Sequence, residues 1–132
     1  EKARTFILAE VGKTVDRNDL FRSTGHAYIQ IAKNEPHIFR MYLFQERKNV
    51  SSLDDIYCSE TNPNVSKIIA ENLNISISAA KRLHLNMLIY TIGIGTIYSV
   101  TSSSISEAEI FNQQELAYEA FLKQALEDNR NE

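Results

Sequence analysis

Apolar side chains recur every three to four residues along most of this chain, which is the spacing of one face of an α-helix. No Val- or Ile-rich run bounded by turn residues alternates apolar with polar positions, so strands are not predicted. The pattern predicts an all-α, single helical domain of about six helices. They begin near residues 1, 20, 36, 62, 76 and 106. The connection 49–61 has room for one short helical turn around Leu53 to Tyr57.

Pro36 separates two strongly apolar helical patterns. Its ring fixes φ and carries no N–H, so it ends one helix and suits the first turn of the next. After Pro36 the chain is apolar almost all round, which predicts a central helix buried on most sides. The apolar positions are Ile38, Phe39, Met41, Tyr42, Leu43 and Phe44.

Polar side chains that cap helices mark the predicted helix starts. Asn62-Pro63 pairs a capping side chain with proline at the first helical position, and Ser76 or Ser78 opens the long helix to Val100. Ser106 to Glu109 forms a capping box, which Ile105 and Ile110 flank as a hydrophobic staple. Candidate caps for the second helix are Asp16, Asn18 and Asp19. The tail from Glu127 to Glu132 is charged and is expected to fray.

Composition narrows the class of protein. At 132 residues with 43% hydrophobic content, the chain fits one domain with a sizeable core. The net charge of −3 is unlike that of free-standing nucleic-acid binders, which are basic. A single cysteine, Cys58, excludes an internal disulfide framework and indicates a reducing, cytoplasmic location. The uncharged run 87–100 is shorter than the roughly 20 residues of a membrane span, so a buried helix and no membrane partner are expected.

The sequence contains no recognisable catalytic, metal or cofactor motif. The three histidines lie on three different predicted helices without the spacing of a metal site, and Gly93-Ile-Gly95 lacks the third glycine of a dinucleotide turn. We therefore expect neither an enzyme, nor a metal, nor a cofactor. Glycine inside a helix costs about 1 kcal/mol relative to alanine. Close approach of a helix or a ligand, and a helix kink, both remain open as reasons for Gly93 and Gly95.

Polar and aromatic side chains interrupt several apolar faces, as they do where helices enclose a small-molecule pocket. The alternative for each is an aromatic core residue with a satisfied hydroxyl. The candidate ligand-binding residues are Tyr28, Phe39, Tyr42, Tyr57, His84, Met87, Tyr90 and Thr91.

Two blocks of sequence resemble TetR-family transcriptional regulators. Residues 27–44, with Tyr28-Ile-Gln-Ile-Ala before Pro36 and Phe39-Arg after it, are similar to the paired helices behind that family's DNA-binding head. Residues 89–97, 105–110 and 117–122 resemble its last two helices. Two features depart from the family: Ile92 stands where a histidine often precedes the glycine, and no helix-turn-helix precedes Glu1.

The resemblance implies an effector-binding and dimerisation domain over residues 1–132, cut from a longer protein. It further implies that the last two helices form a dimeric four-helix bundle across a twofold axis. The dimer-interface residues expected on this basis are Gly93, Gly95, Ile110, Phe111, Ala117, Tyr118, Phe121 and Leu122.

The expected function is that of a regulatory domain, most simply a repressor's, that binds a small, largely apolar effector as a homodimer. Its effector would control DNA binding by a helix-turn-helix head outside this chain. The alternative is a helical protein–protein interaction module without a small-molecule pocket.

Overall fold

A computed structural model describes residues 2–14, 19–101 and 104–132, and all the regular structure in these ranges is helical. The all-α prediction is confirmed. Seven helices are present in the described ranges, against about six expected, because the connection 49–61 contains a full helix, α4. The helices are α1 (Lys2–Thr14), α2 (Leu20–Asn34), α3 (Pro36–Phe44), α4 (Leu53–Glu60), α5 (Pro63–Leu73), α6 (Ile77–Val100) and α7 (Glu107–Arg130).

Three predicted helix starts are confirmed by capping hydrogen bonds. The Asn62 side chain accepts a hydrogen bond from the N–H of Asn64 at 2.9 Å. Ser76 accepts from the Ala79 N–H at 3.0 Å, and Ser106 from the Glu109 N–H at 3.1 Å. These bonds satisfy backbone donors that have no partner within the first helical turn.

At two further helices, α2 and α4, the capping differs from expectation. At the start of α2, Asp19 makes no side-chain capping bond, and the candidates Asp16 and Asn18 lie outside the described residues. α4 begins at Leu53, where a short helical turn was expected, but its cap and full length were not predicted: Ser52 accepts a hydrogen bond from the Asp55 N–H at 3.1 Å, and Asp54 and Asp55 lie in the first turn, where carboxylates are favourable.

Pro36 divides α2 from α3 as predicted, but α3 is not the buried central helix. Phe39 and Tyr42 are fully buried, whereas Met41 is 64% and Phe44 is 77% exposed. The nine-residue helix α3 packs against α1, α2 and α6 through one side only. Its other side faces outward because no described helix covers it.

The central helix is α6, which packs against α2, α3, α5 and α7 and buries ten of its 24 residues. The remaining side is apolar and exposed, with Ile89, Ile97 and Val100 between 48% and 61% accessible. Within the described residues, α6 is also the one helix long and apolar enough to cross a membrane, by length and composition alone. Central helices of soluble folds commonly share both properties.

The wide apolar face of α7 packs inside the subunit, against α2 and α6. Ile110 joins Ile29 and Tyr98 in one cluster of the core. The helix continues to Arg130, beyond the expected frayed end, because the start of α6 holds it. There Arg82 pairs with Asp128 at 3.2 Å, and the Ser76 N–H donates to Asn129 Oδ1 at 2.8 Å.

Candidate ligand-binding site

A cavity of about 610 Å³ lies between α1, α2, α5 and α6, closed on one side by the end of α4. Its size is within the range of small-molecule sites in proteins. Seven aliphatic side chains contribute to the wall, namely Leu8, Val11, Leu20, Val65, Ile68, Met87 and Leu88. The polar residues of the wall are Thr24, Tyr28, Ser59, Glu60, Thr61, Asn62, His84 and Thr91.

Two helices supply most of this wall through the helical repeat. On α2, the lining residues Leu20, Thr24 and Tyr28 are four residues apart. On α6, the lining residues run from His84 through Met87 to Thr91 at spacings of three and four. Such residues share one face of a helix, so each helix presents a continuous strip to the cavity.

Four of the eight predicted ligand-binding residues, Tyr28, His84, Met87 and Thr91, line this cavity. The other four, Phe39, Tyr42, Tyr57 and Tyr90, do not.

The four residues that do not line the cavity have other partners. Phe39 and Tyr42 fill the core between α1, α2 and α3. Tyr57 lies behind His84, which it contacts. Tyr90 packs edge-on against Phe121 of α7, with ring centroids 6.4 Å apart. For the first two, the aromatic-core interpretation describes their position correctly.

His84 contributes an uncharged polar group to the wall. Its Nδ1 is 2.7 Å from the Tyr57 hydroxyl, and the two rings meet edge to face. Desolvation lowers the pKa of His84 to about 4, and it raises the pKa of Tyr57 to about 12. Both side chains are therefore neutral near pH 7.

Glu60 is the one acidic side chain in the described part of the cavity wall, and it pairs with other side chains of the protein. It is 6% exposed and accepts hydrogen bonds from the Tyr42 hydroxyl at 2.7 Å and from Arg47 Nε at 3.1 Å. Arg4 Nε lies 3.8 Å from the same carboxylate. The hydrogen-bonding capacity of this buried carboxylate is therefore largely used by the protein.

A polar group that the sequence did not single out lies at the Thr24 end of the cavity. The Thr24 hydroxyl oxygen is buried without a hydrogen-bond partner among the described residues. At the next residue of α2, the Gly25 carbonyl accepts a hydrogen bond from the Gln114 amide nitrogen at 3.4 Å, and the same nitrogen lies 3.5 Å from Thr91 Oγ1, although Gln114 itself does not line the cavity. Gln114 is on α7, 90 residues after Thr24, so no local spacing could indicate this group.

Most of the predicted dimer-interface residues pack against other residues of their own subunit. Gly95 is buried because the Phe39 ring packs on it, and a Cβ there would lie 2.8 Å from Phe39 Cζ. Ile110 is 4% exposed in the core. Neither is on a surface that a second chain can reach. Gly93, by contrast, is exposed and has open space around it.

The remaining predicted interface residues on α7 are partly buried within the subunit. Phe111 stacks on His26 of α2 with centroids 4.0 Å apart, and the Tyr118 ring lies 5.6 Å from the Arg22 guanidinium. Phe121 and Leu122 pack on the Leu83–Met87 cluster of the core. Ala117 is half-buried. This face of α7 is wide because it contacts two helices of its own subunit.

No group of three or more potential metal ligands occurs among the described residues. In comparisons with other proteins, no family model, no curated protein and no solved structure matches this chain.

Proposed function

We propose that this chain is the effector-binding and dimerisation domain of a one-component, TetR-like transcriptional regulator that takes a small, largely apolar effector. The observation that supports effector binding is the 610 Å³ cavity with an aliphatic wall and a few fixed polar groups. A filled helical interaction module has no need of such a space, since protein cores are close-packed. The regulatory context rests on the sequence resemblance.

In this proposal, α6 couples effector binding in the cavity to DNA binding by the heads. One side of α6 lines the cavity, another packs along α7, and the helix also contacts α2. An effector that fits one arrangement of these helices better than another shifts their populations in its favour. A tenfold difference in affinity between the two arrangements shifts their balance by about 1.4 kcal/mol. In the full regulator, this shift changes the spacing of two DNA-binding heads outside this chain.

The dimer contact in this proposal is the exposed stripe of α6 formed by Ile89, Gly93, Ile97 and Val100. It replaces the interface residues that the fold uses internally. No charged residue occurs between Ile89 and Val100, so a second copy of the same neutral stripe is a suitable partner across a twofold axis. Gly93 lies within the stripe with open space around it, which permits two helices to approach closely.

Thermal shift against a library of lipophilic compounds tests effector binding. A specific, saturable rise in the unfolding temperature supports the regulator, because a ligand that binds only the folded state stabilises it. If no compound stabilises the protein, the interaction-module alternative gains, and the exposed Met41 and Phe44 of α3 become its natural contact surface.

Analytical ultracentrifugation tests dimerisation. We expect the wild type to be a dimer at tens of micromolar, and Ile97→Glu to be a folded monomer because two carboxylates would face each other without partners. The matched control is Leu116→Glu on the exposed side of α7, outside the stripe, which should stay dimeric. A monomeric wild type would contradict this part of the proposal.

A further inference from the structure

The end of α4 forms one side of the cavity, and this helix is held differently from the other helices of the wall. Ser59, Glu60, Thr61 and Asn62 line the cavity where α4 leads into α5. The helices α1, α2, α5 and α6 all contribute residues to the apolar clusters of the core, whereas no residue of α4 belongs to a described cluster. Nor does α4 pack lengthwise against any other described helix.

Polar groups attach α4 to the rest of the protein. Of its eight residues, only Tyr57 and Glu60 are buried. The Tyr57 hydroxyl lies 2.7 Å from His84 Nδ1 on α6. At the other end of the helix, the Arg4 guanidinium of α1 donates a hydrogen bond to the Ser59 carbonyl. The contacts that keep this wall in place are therefore mainly hydrogen bonds and ion pairs.

Glu60 makes the strongest of these attachments, at the cavity end of α4. Its carboxylate accepts hydrogen bonds from the Tyr42 hydroxyl at 2.7 Å and from Arg47 Nε at 3.1 Å. Arg47 is anchored on α3, because its Nη1 donates to the Leu43 carbonyl at 3.0 Å and its guanidinium lies over the Tyr42 ring. The Glu60–Arg47 pair thus ties α4 to α3.

Polar attachments of this kind separate more easily than apolar packing. When two apolar surfaces separate, both return to water at a free-energy cost proportional to their area. When a carboxylate and a guanidinium separate, both regain hydration, which offsets much of the attraction that is lost. Elements with few buried apolar contacts open at the lowest free energy. Among the described helices around the cavity, α4 therefore opens most readily.

We propose that α4 is the gate through which a ligand enters and leaves the cavity, and that the Glu60–Arg47 pair holds this gate closed. Opening moves α4 about the non-helical residues on either side of it, 45–52 and 61–62, while the apolar clusters stay packed. Lids of this kind set the rates of ligand binding and release. The inference rests on the proposed function, because it concerns access to the same cavity.

A cleavable cross-link between α4 and α6 tests the gate. Cys58 is the one cysteine of the chain and is exposed on α4. Its Sγ is 3.9 Å from the carboxylate of Asp54, which pairs with Lys81 of α6 at 2.7 Å. In Lys81→Cys, dithiobismaleimidoethane can therefore join the two thiols, and intact mass identifies the intramolecular product. A reductant then cleaves the linker and leaves both sulfurs modified, so the cleaved sample is the matched control.

Stopped-flow fluorescence with N-phenyl-1-naphthylamine as the apolar reporter measures both rates. We expect the cross-linked protein to bind and release the reporter at least roughly tenfold more slowly than the cleaved control. The dissociation constant at equilibrium should be the same for both samples, because the cross-link changes access and leaves the cavity intact.

A second variant acts in the opposite direction. Arg47→Gln removes the cation that holds Glu60 and lies outside the described cavity wall, so we expect both rates to rise roughly 3- to 10-fold with little change in the dissociation constant. The matched control is Arg22→Gln, since Arg22 Nε pairs with Glu115 at 2.7 Å and its guanidinium lies over the Tyr118 ring, away from α4. This control should leave both rates unchanged. A merely structural Arg47 would affect the unfolding temperature without changing the rates.

The outcomes distinguish the two proposals. If the reporter binds equally fast before and after cleavage of the linker, or if Arg47→Gln leaves both rates unchanged, the gate is overturned while the cavity remains a ligand site. If the reporter does not bind the wild type at all, the proposed function fails and the inference fails with it.

Discussion

Gly95 and Thr91 lie one turn apart on α6 but have different surroundings. The first is tightly packed, whereas the second borders the cavity. At Gly95 the absent side chain is replaced by the Phe39 ring, which fills the space completely. One turn earlier, Thr91 lines the cavity, although Gly25 across from it on α2 is itself covered by the Gln114 amide, 3.1 Å from where a Cβ would lie. A small residue on a central helix therefore does not predict a pocket by itself. The size of the side chain opposite decides whether the space is filled.

The largest expected effect comes from removing the Phe39 ring, which packs on Gly95. Phe39→Ala removes a ring that is fully buried between α1, α2, α3 and α6, and we expect it to lower the free energy of unfolding by about 3–5 kcal/mol. Urea denaturation measures this. The control Met41→Ala removes a mostly exposed side chain of the same helix and should change stability by less than about 0.5 kcal/mol. Similar losses for both variants would contradict the packing of α3.

The next effect is the dependence of stability on pH that arises from His84 in the cavity wall. The pKa of His84 is about 4 in the folded protein, against 6.5 for a histidine exposed to water, since desolvation disfavours the imidazolium. Between these values the unfolded chain binds a proton that the folded protein does not, so stability falls as the pH drops from 6.5 towards 4. Above 6.5 His84 adds no pH dependence. The loss should reach the order of 3 kcal/mol at the acid end.

Chemical denaturation at a series of pH values measures this contribution. His84→Gln should flatten the profile between pH 6.5 and 4, while His37→Gln, an exposed residue of α3, should leave the wild-type slope. An unchanged slope in His84→Gln would show that this imidazole titrates normally, and the cavity wall would then be wetter than described.

A pair of glycine variants gives a smaller effect with opposite signs. Gly95→Ala places a Cβ 2.8 Å from Phe39 Cζ, and we expect a net loss of about 1 kcal/mol or more, since overpacking exceeds the gain in helix propensity. Gly93→Ala has open space within the subunit and, when both variants are compared in the monomeric Ile97→Glu background, should gain up to about 1 kcal/mol. Thermal unfolding at one fixed protein concentration compares them. The same sign for both would mean that Gly95 is not tightly packed.

The smallest effect is expected from a larger side chain that extends into the cavity. Val65→Phe adds a ring that can extend into the cavity, so we expect a change in stability of less than about 1 kcal/mol in either direction. The matched control is Ala80→Phe, which forces a ring into a fully buried site and should lower stability by several-fold more. Calorimetric unfolding measures both. A severe loss in Val65→Phe would indicate that the space is already filled.

Local signals in the sequence predicted the helices well. Pro36 fixes the break between α2 and α3, and the caps at Asn62, Ser76 and Ser106 start their helices as expected, because a cap acts within one turn. The start of α4 at Ser52 had the same signal, but a mixed composition around it obscured the apolar face.

The sequence was less informative about which side of each helix is covered. The run after Pro36 suggested burial on most sides, yet Met41 and Phe44 are exposed, since a short helix at the edge has neighbours on one side only. Ile110 and Gly95 suggested a contact between chains, and both pack within the subunit. Such outcomes depend on distant partners, as the link from Gly25 to Gln114 also does.

A crystal structure of the protein grown with 4-iodophenol tests the central claim, an open cavity that takes a small, largely apolar molecule, most directly. The anomalous signal of iodine locates the ligand without ambiguity. We predict one iodine peak per chain among the aliphatic side chains of the cavity. A cavity closed by its own side chains, with no iodine between α2 and α6, would contradict the account.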